Sequence, residues 1–140
     1  MTSSQDYYDA VKALAARGIL ATRVHDSVRM NGTTPVRDNY VVLMDESPRL
    51  ADDRYTALER VNSRARHRVD ARSVATSATG RRMFQDAVRS NLIGQVPVVS
   101  GRVCTPVQLV PPVEEGRPQF DSTANLHYVT DSFEFWSQEA

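Results

Sequence analysis

The sequence predicts an α+β fold, a mainly antiparallel sheet of about four to five strands with two helices packed on one face. Three observations predict it. Residues 60–75 alternate in character at period two, residues 40–44 are almost continuously apolar, and two segments, 7–15 and 81–92, carry apolar stripes at helical spacing. With 140 residues, the chain has the length of one domain and one core. A single domain over residues 1–140 is the expected organisation.

The first helix begins at Ser3 or Ser4, either of which can cap it, and Asp6 suits the positive end of its dipole. Tyr7, Val11, Leu14 and Ala15 form its apolar stripe, and Gly18 closes it. Residues 19–27 read as a short strand in which Thr22, Val24 and Asp26 alternate with Arg23 and His25. The run 30–35 is turn chemistry, and residues 39–44 read as a central strand buried on both faces. Polar residues 49–54 read as an exposed loop.

The long strand that follows has two unlike faces. Val61, Ser63, Ala65, His67, Val69 and Ala71 point one way, while Arg60, Asn62, Arg64, Arg66, Arg68, Asp70 and Arg72 point the other. Outward arginines stand ~7 Å apart along a strand. The row therefore repels itself unless something negative lies over it. Two readings stand: a solvated outer face of an antiparallel sheet, or a surface that meets a partner's carboxylates or phosphates.

Thr76 or Ser77 caps the second helix, whose inner stripe is Met83, Phe84, Ala87, Val88, Asn91 and Leu92. Its outer residues are Arg81, Arg82, Gln85, Asp86, Arg89 and Ser90, and Gly94 ends it. Residues 102–110 form another strand, which Pro106 confines to an edge or a bulge. The acidic, proline-flanked run 111–118 is a loop. A last strand, 124–136, changes phase near Thr130-Asp131-Ser132, which predicts a bulge or bend.

Composition narrows the function. Seventeen basic and 17 acidic residues cancel, so no global field draws the chain to nucleic acid or to an anionic membrane. Cys104 is the only cysteine, which excludes an internal disulfide and a multi-cysteine metal site. The amino terminus lacks a signal-peptide pattern, and no apolar run nears the ~20 residues of a membrane helix. A soluble protein made in a reducing cytoplasm is the expectation.

No catalytic constellation emerges. No glycine spacing cradles phosphate, and His25, His67 and His127 lie in separate segments. His67, on the small-residue face, reads as a buried, hydrogen-bonded histidine. His127 and Asp131 form a dyad only if the bulge brings them together, and Arg102 is placed to lower the Cys104 thiol pKa. A lone strand cysteine reads more simply as a small hydrophobe. The expectation is no enzyme, no cofactor and no metal. A nucleic-acid module would set Arg64, Arg66 and Arg68 on phosphates, but this strand face carries no aromatics for base stacking.

Five stretches together resemble a known family: Tyr40-Val41-Val42-Leu43, Arg66-His67-Arg68-Val69-Asp70-Ala71, helix 81–92, the lead-in Val98 to Arg102, and the closing run Asn125 to Trp136. They are similar to the tail terminator (tail completion) proteins of long-tailed bacteriophages, actinobacteriophage type. The resemblance implies a structural virion protein whose hexameric ring caps the tail tube and ends its polymerisation. Its implied partners are its own copies, the tail tube protein and a head-tail connector or head-closure protein, with double-stranded DNA passing through the lumen and no membrane. The implied location is the tail-neck junction, after assembly in the host cytoplasm. The alternatives are another neck protein (a head-closure or adaptor ring), a minor tail protein, or an arginine-strand nucleic-acid-binding module. A ring needs complementary surfaces, and the candidates are Arg64, Arg66, Arg68 and Arg72 against Asp52, Asp53, Glu114 and Glu115, with Asp45-Glu46 a further acidic loop.

Overall fold

The chain runs through helix α1 (Ser4–Ala15), a 3-10 turn (Gly18–Leu20), β1 (Val24–His25), β2 (Met30–Asn31), β3 (Thr34–Pro35), β4 (Tyr40–Asp45) and β5 (Arg49–Leu50). The long strand β6 (Ala65–Ala75) leads into helix α2 (Ala78–Leu92), followed by β7 (Arg102–Cys104), β8 (Gln108–Val110), β9 (Gln119–Asp121) and β10 (Leu126–Glu139). The computed structural model describes residues 4–45, 49–50, 64–111 and 117–139. The fold class is α+β, as the sequence predicts.

One eight-stranded sheet has the order β1-β4-β6-β10-β7, with β5 also pairing β6, and β8 and β9 also pairing β10. It is mixed, because β1 lies parallel to β4. It also has more strands than expected. Part of the excess comes from the predicted strand 102–110, which is two strands with a break between them. Pro106 has no N–H for the ladder, and Val107 turns away to pair with the chain after α2: Gly94 N–H donates to the Val107 carbonyl (2.9 Å) and Val107 N–H to that of Gln95 (2.8 Å). That detour carries the Val107 side chain into the core. The run 30–35 forms the β2–β3 hairpin, with Gly32 at φ +64° in the first of two loop positions, where a side chain would be strained.

The β6–β10 ladder runs without interruption from His127 opposite Ala75 to Ser137 opposite Ala65. Odd-numbered residues of both strands therefore share one face and even-numbered residues the other. Both helices cover the odd face. Tyr8, Val11 and Ala15 of α1 and Phe84, Val88 and Leu92 of α2 pack on Val41, Leu43, Val69, Ala71, Phe133 and Phe135. A smaller cluster on the even face joins Tyr40, Val42, Val74, Ala124 and Leu126, so β4 is buried on both sides as expected.

The strand read over 19–27 shrinks to Val24–His25, because a 3-10 turn takes up Gly18–Leu20, and two more expectations give way. The bulge at Thr130-Asp131-Ser132 does not form in the β6 ladder. Those three residues are instead polar and buried on alternating faces, each with a partner, and that breaks the apparent alternation. Helix α2 is also rotated from its expected stripe: Met83 is 54% exposed and Arg81 only 5%. The cause is Asp131 on the sheet beneath, which receives hydrogen bonds from Gln85 and Arg89, one helical turn apart. Polar attraction turns this side of the helix inward.

Replacing Phe133 by Ala, which opens a cavity at 1% exposure, is expected to cost about 3–5 kcal/mol. Met83→Ala is expected to stay within about 0.5 kcal/mol, as surface changes do. Urea midpoints for the two variants check both expectations.

Candidate functional site

The arginine row lies on the even face of β6, flanked by the even residues of β10 in fixed register. Each of its arginines meets a group of its own chain. The Arg64 guanidinium lies 5.0 Å from the centre of the Trp136 ring. Arg66 Nε is 3.8 Å from Glu134 Oε2. Arg68 donates to the Pro111 carbonyl (3.1 Å), with Nε 3.7 Å from Asp70. Arg72 donates to Thr130 Oγ1 (3.2 Å) and lies over the Tyr128 ring. Ser132 in turn donates to Asp70 at 2.6 Å. The row escapes self-repulsion because β10 brings a carboxylate and two aromatic rings alongside it, each contact worth about 0.5–1 kcal/mol where it is exposed.

The lack of aromatics read from β6 alone is thus corrected, since Tyr128 and Trp136 occupy the same face. Their even-numbered spacing along the closing strand was the available signal. What the sequence could not supply was the register that sets them beside Arg72 and Arg64. Asp52, Asp53, Glu114, Glu115 and Glu46 lie outside the described residues.

On the odd face, His67 is 3% exposed and sits between the rings of Tyr7 (3.9 Å) and Phe135 (4.7 Å). Its Nε2 is 2.8 Å from Ser137 Oγ, which also receives the Arg102 guanidinium at 3.0 Å. Burial first, and Arg102 second, hold the imidazole pKa down at about 4. The ring is therefore neutral at pH 7 and ties α1 to the sheet, as the reading of a buried, hydrogen-bonded histidine expects. Ser137 was not singled out from the sequence.

The other candidates separate. Asp131 takes two bonds of 2.9 Å from Arg89 and one of 3.2 Å from Gln85, while the His127 ring lies tilted against Phe120, so no dyad forms. At Cys104 burial raises the thiol pKa and outweighs the opposing pull of Arg102. The sequence expectation of a lowered pKa is therefore reversed. Beside α1, Tyr8 donates to Asp26 (3.0 Å), which also meets Lys12 at 3.3 Å. These hydrogen bonds lower the Asp26 pKa, and burial followed by the Asp26 contact raises that of Tyr8. Among the described residues, no helix is long and apolar enough to cross a membrane.

What this architecture defines is a small α+β fold with two helices on one sheet face and a partnered cationic row on the other. The same fold occurs in a solved structure titled as the virion of a native gene transfer agent particle. A chain of that particle superposes with a TM-score of 0.63 at 16% identity, over 98% of this chain and 95% of that one. No family model matches the chain, and no curated protein sequence matches it.

The neutral His67 has a consequence for stability. Because its folded pKa lies below the ordinary 6.5, the unfolded chain binds more protons between about pH 6.5 and 4. The contribution is complete above that window and is lost as pH falls through it, by roughly 3 kcal/mol in all. Urea unfolding at pH 7 and pH 4.5 measures the loss. His67→Gln, which cannot titrate, is expected to flatten it, and an unchanged slope would assign the titration elsewhere. A further expectation concerns Arg89. Replacing it by Met is expected to cost roughly 1.5–3 kcal/mol, the range for hydrogen bonds to a charged group. Arg89→Lys should restore less than half of that, because an ammonium cannot make the paired bonds.

Proposed function

We propose that this chain is a structural component of a phage-like virion. In this reading it is of the tail terminator type: it closes into a hexameric ring on the end of the tail tube, stops the tube's growth and joins it to a connector or head-closure protein. DNA passes through the ring, and the chain itself performs no catalysis. The observation that carries this reading is the end-to-end fold match to a virion chain, which leaves almost nothing of either chain unaccounted for. The element order of the tail terminator resemblance supports the finer assignment.

The chemistry-bearing pair also favours a structural role. His67 and Ser137 lie within hydrogen-bond distance, but both are buried and spent on holding α1, β6 and β10 together. A nucleophile sealed from solvent has no substrate to attack. The arginine–aromatic contacts on the even face do favour a second reading, single-strand nucleic-acid binding. The zero net charge weighs against it.

Light scattering on the purified chain, alone and with a tail tube protein, tests the proposal. The expected result is a species six times the 15.6 kDa chain mass, visible as a ring by negative-stain imaging, free or at tube ends. Tubes grown with it should be shorter or capped. A chain that stays monomeric beside tubes and leaves their length unchanged overturns the reading.

A further inference from the structure

Helix α1 turns two exposed carboxylates, Asp6 and Asp9, to one side, three residues apart. They line a groove of about 460 Å³ whose other walls include Ala10 and Ala13 of the same helix and Val98 and Val99 of the α2–β7 connection. Among the described residues, no lysine or arginine lines it. Residues 96–99 alternate in burial, with Pro97 and Val99 inward and Val98 89% exposed. Small apolar side chains share its lining with Ser100, and its helix side is acidic. An occupant that fits must bring an apolar body carrying positive charge.

The chain carries such a surface on the opposite face of the sheet. Exposed Arg64 lies over the half-buried Trp136 ring at 5.0 Å, and Arg66 stands beside it, 3.8 Å from Glu134 and so beyond a close hydrogen bond. Tryptophan and arginine are the residue types that most often carry interface energy. Helix α1 covers the odd face through Tyr7 and Val11, whereas Trp136 and Arg66 belong to the even face. Knob and groove therefore point away from each other and cannot meet within one chain. Two unlike surfaces on opposite sides of a chain make a heterologous contact, which closes into a ring when the rotation from copy to copy closes and runs on as a filament when it does not.

We propose that the α1 groove of one copy receives the Arg64–Arg66–Trp136 corner of the next, with Asp6 and Asp9 facing the two guanidiniums. This rests on the ring reading and names its seam, which sequence alone set at the acidic loops around Asp52 and Glu114. A DNA backbone could also engage the arginines, but it has no use for an acidic groove. The two occupants therefore part under charge exchange.

The test uses two full-length variants, Asp6→Arg/Asp9→Arg and Arg64→Glu/Arg66→Glu, with thermal melts to show that each folds. The single changes Asp9→Arg and Arg64→Glu, at exposed positions, serve if a double variant melts early. Sedimentation with and without tube protein reads assembly. Each variant alone is expected to associate at least tenfold more weakly than wild type, whose association should itself weaken with salt. An equal mixture is expected to recover, because alternating copies place opposite charges at every seam. The seam is overturned if wild type forms rings but either variant assembles as wild type does, or if the mixture stays apart. It is also overturned if the arginine changes weaken duplex DNA binding and leave assembly intact. A wild-type chain that never assembles, even on tubes, overturns the ring reading and the seam with it.

Discussion

The pairing of β6 with β10 governs the rest of the molecule. It runs over all of β6, residues 65–75, and its register decides which side chains share a face. On the odd face it places Val69 beside Phe133 and His67 beside Phe135, giving both helices their apolar floor. On the even face it places Arg66 beside Trp136 and Arg68 beside Glu134. A slip of one residue would exchange the two faces and bury the arginines under the helices. A single alignment thus sets core, charge pattern and helix docking together.

Polar groups refine what the ladder sets out. Asp131 faces the helices from the middle of the apolar floor, and a buried carboxylate is tolerated only with partners. Arg89 and Gln85 provide them and turn α2 away from its most apolar orientation. His67 does the comparable work under α1, where its neutral ring stacks on Tyr7 while Ser137 occupies Nε2. Each helix is therefore seated by polar contacts as well as by its apolar stripe. Such contacts fix orientation more sharply than apolar packing, which tolerates small rotations.

A chain of this design has two chemically different sides. The even face is cationic and aromatic, with its arginines partnered, while the helix side around α1 carries Asp6, Asp9 and Asp26, with Lys12 beside Asp26. A net charge of zero hides that separation. The separation arises because the register assigns the arginines and the helices to opposite faces of one sheet.

Short-range pattern determined much of this protein. Period-two alternation marked β6 and its faces, the apolar run marked β4 as central, and the stripes and caps marked both helices, with Ser77 accepting from Gly80 as the α2 cap. The small-residue face marked His67 as buried. These features follow from local geometry, in which residues two or four apart share a side. What joins distant segments was settled only by tertiary structure: Glu134 and Trp136 beside the arginines, Asp131 turning α2, Val107 leaving its strand, and burial prevailing over Arg102 at Cys104. Those outcomes depend on register and burial. Neither is a property of any one segment, because each arises only when segments far apart in the chain come to share a surface.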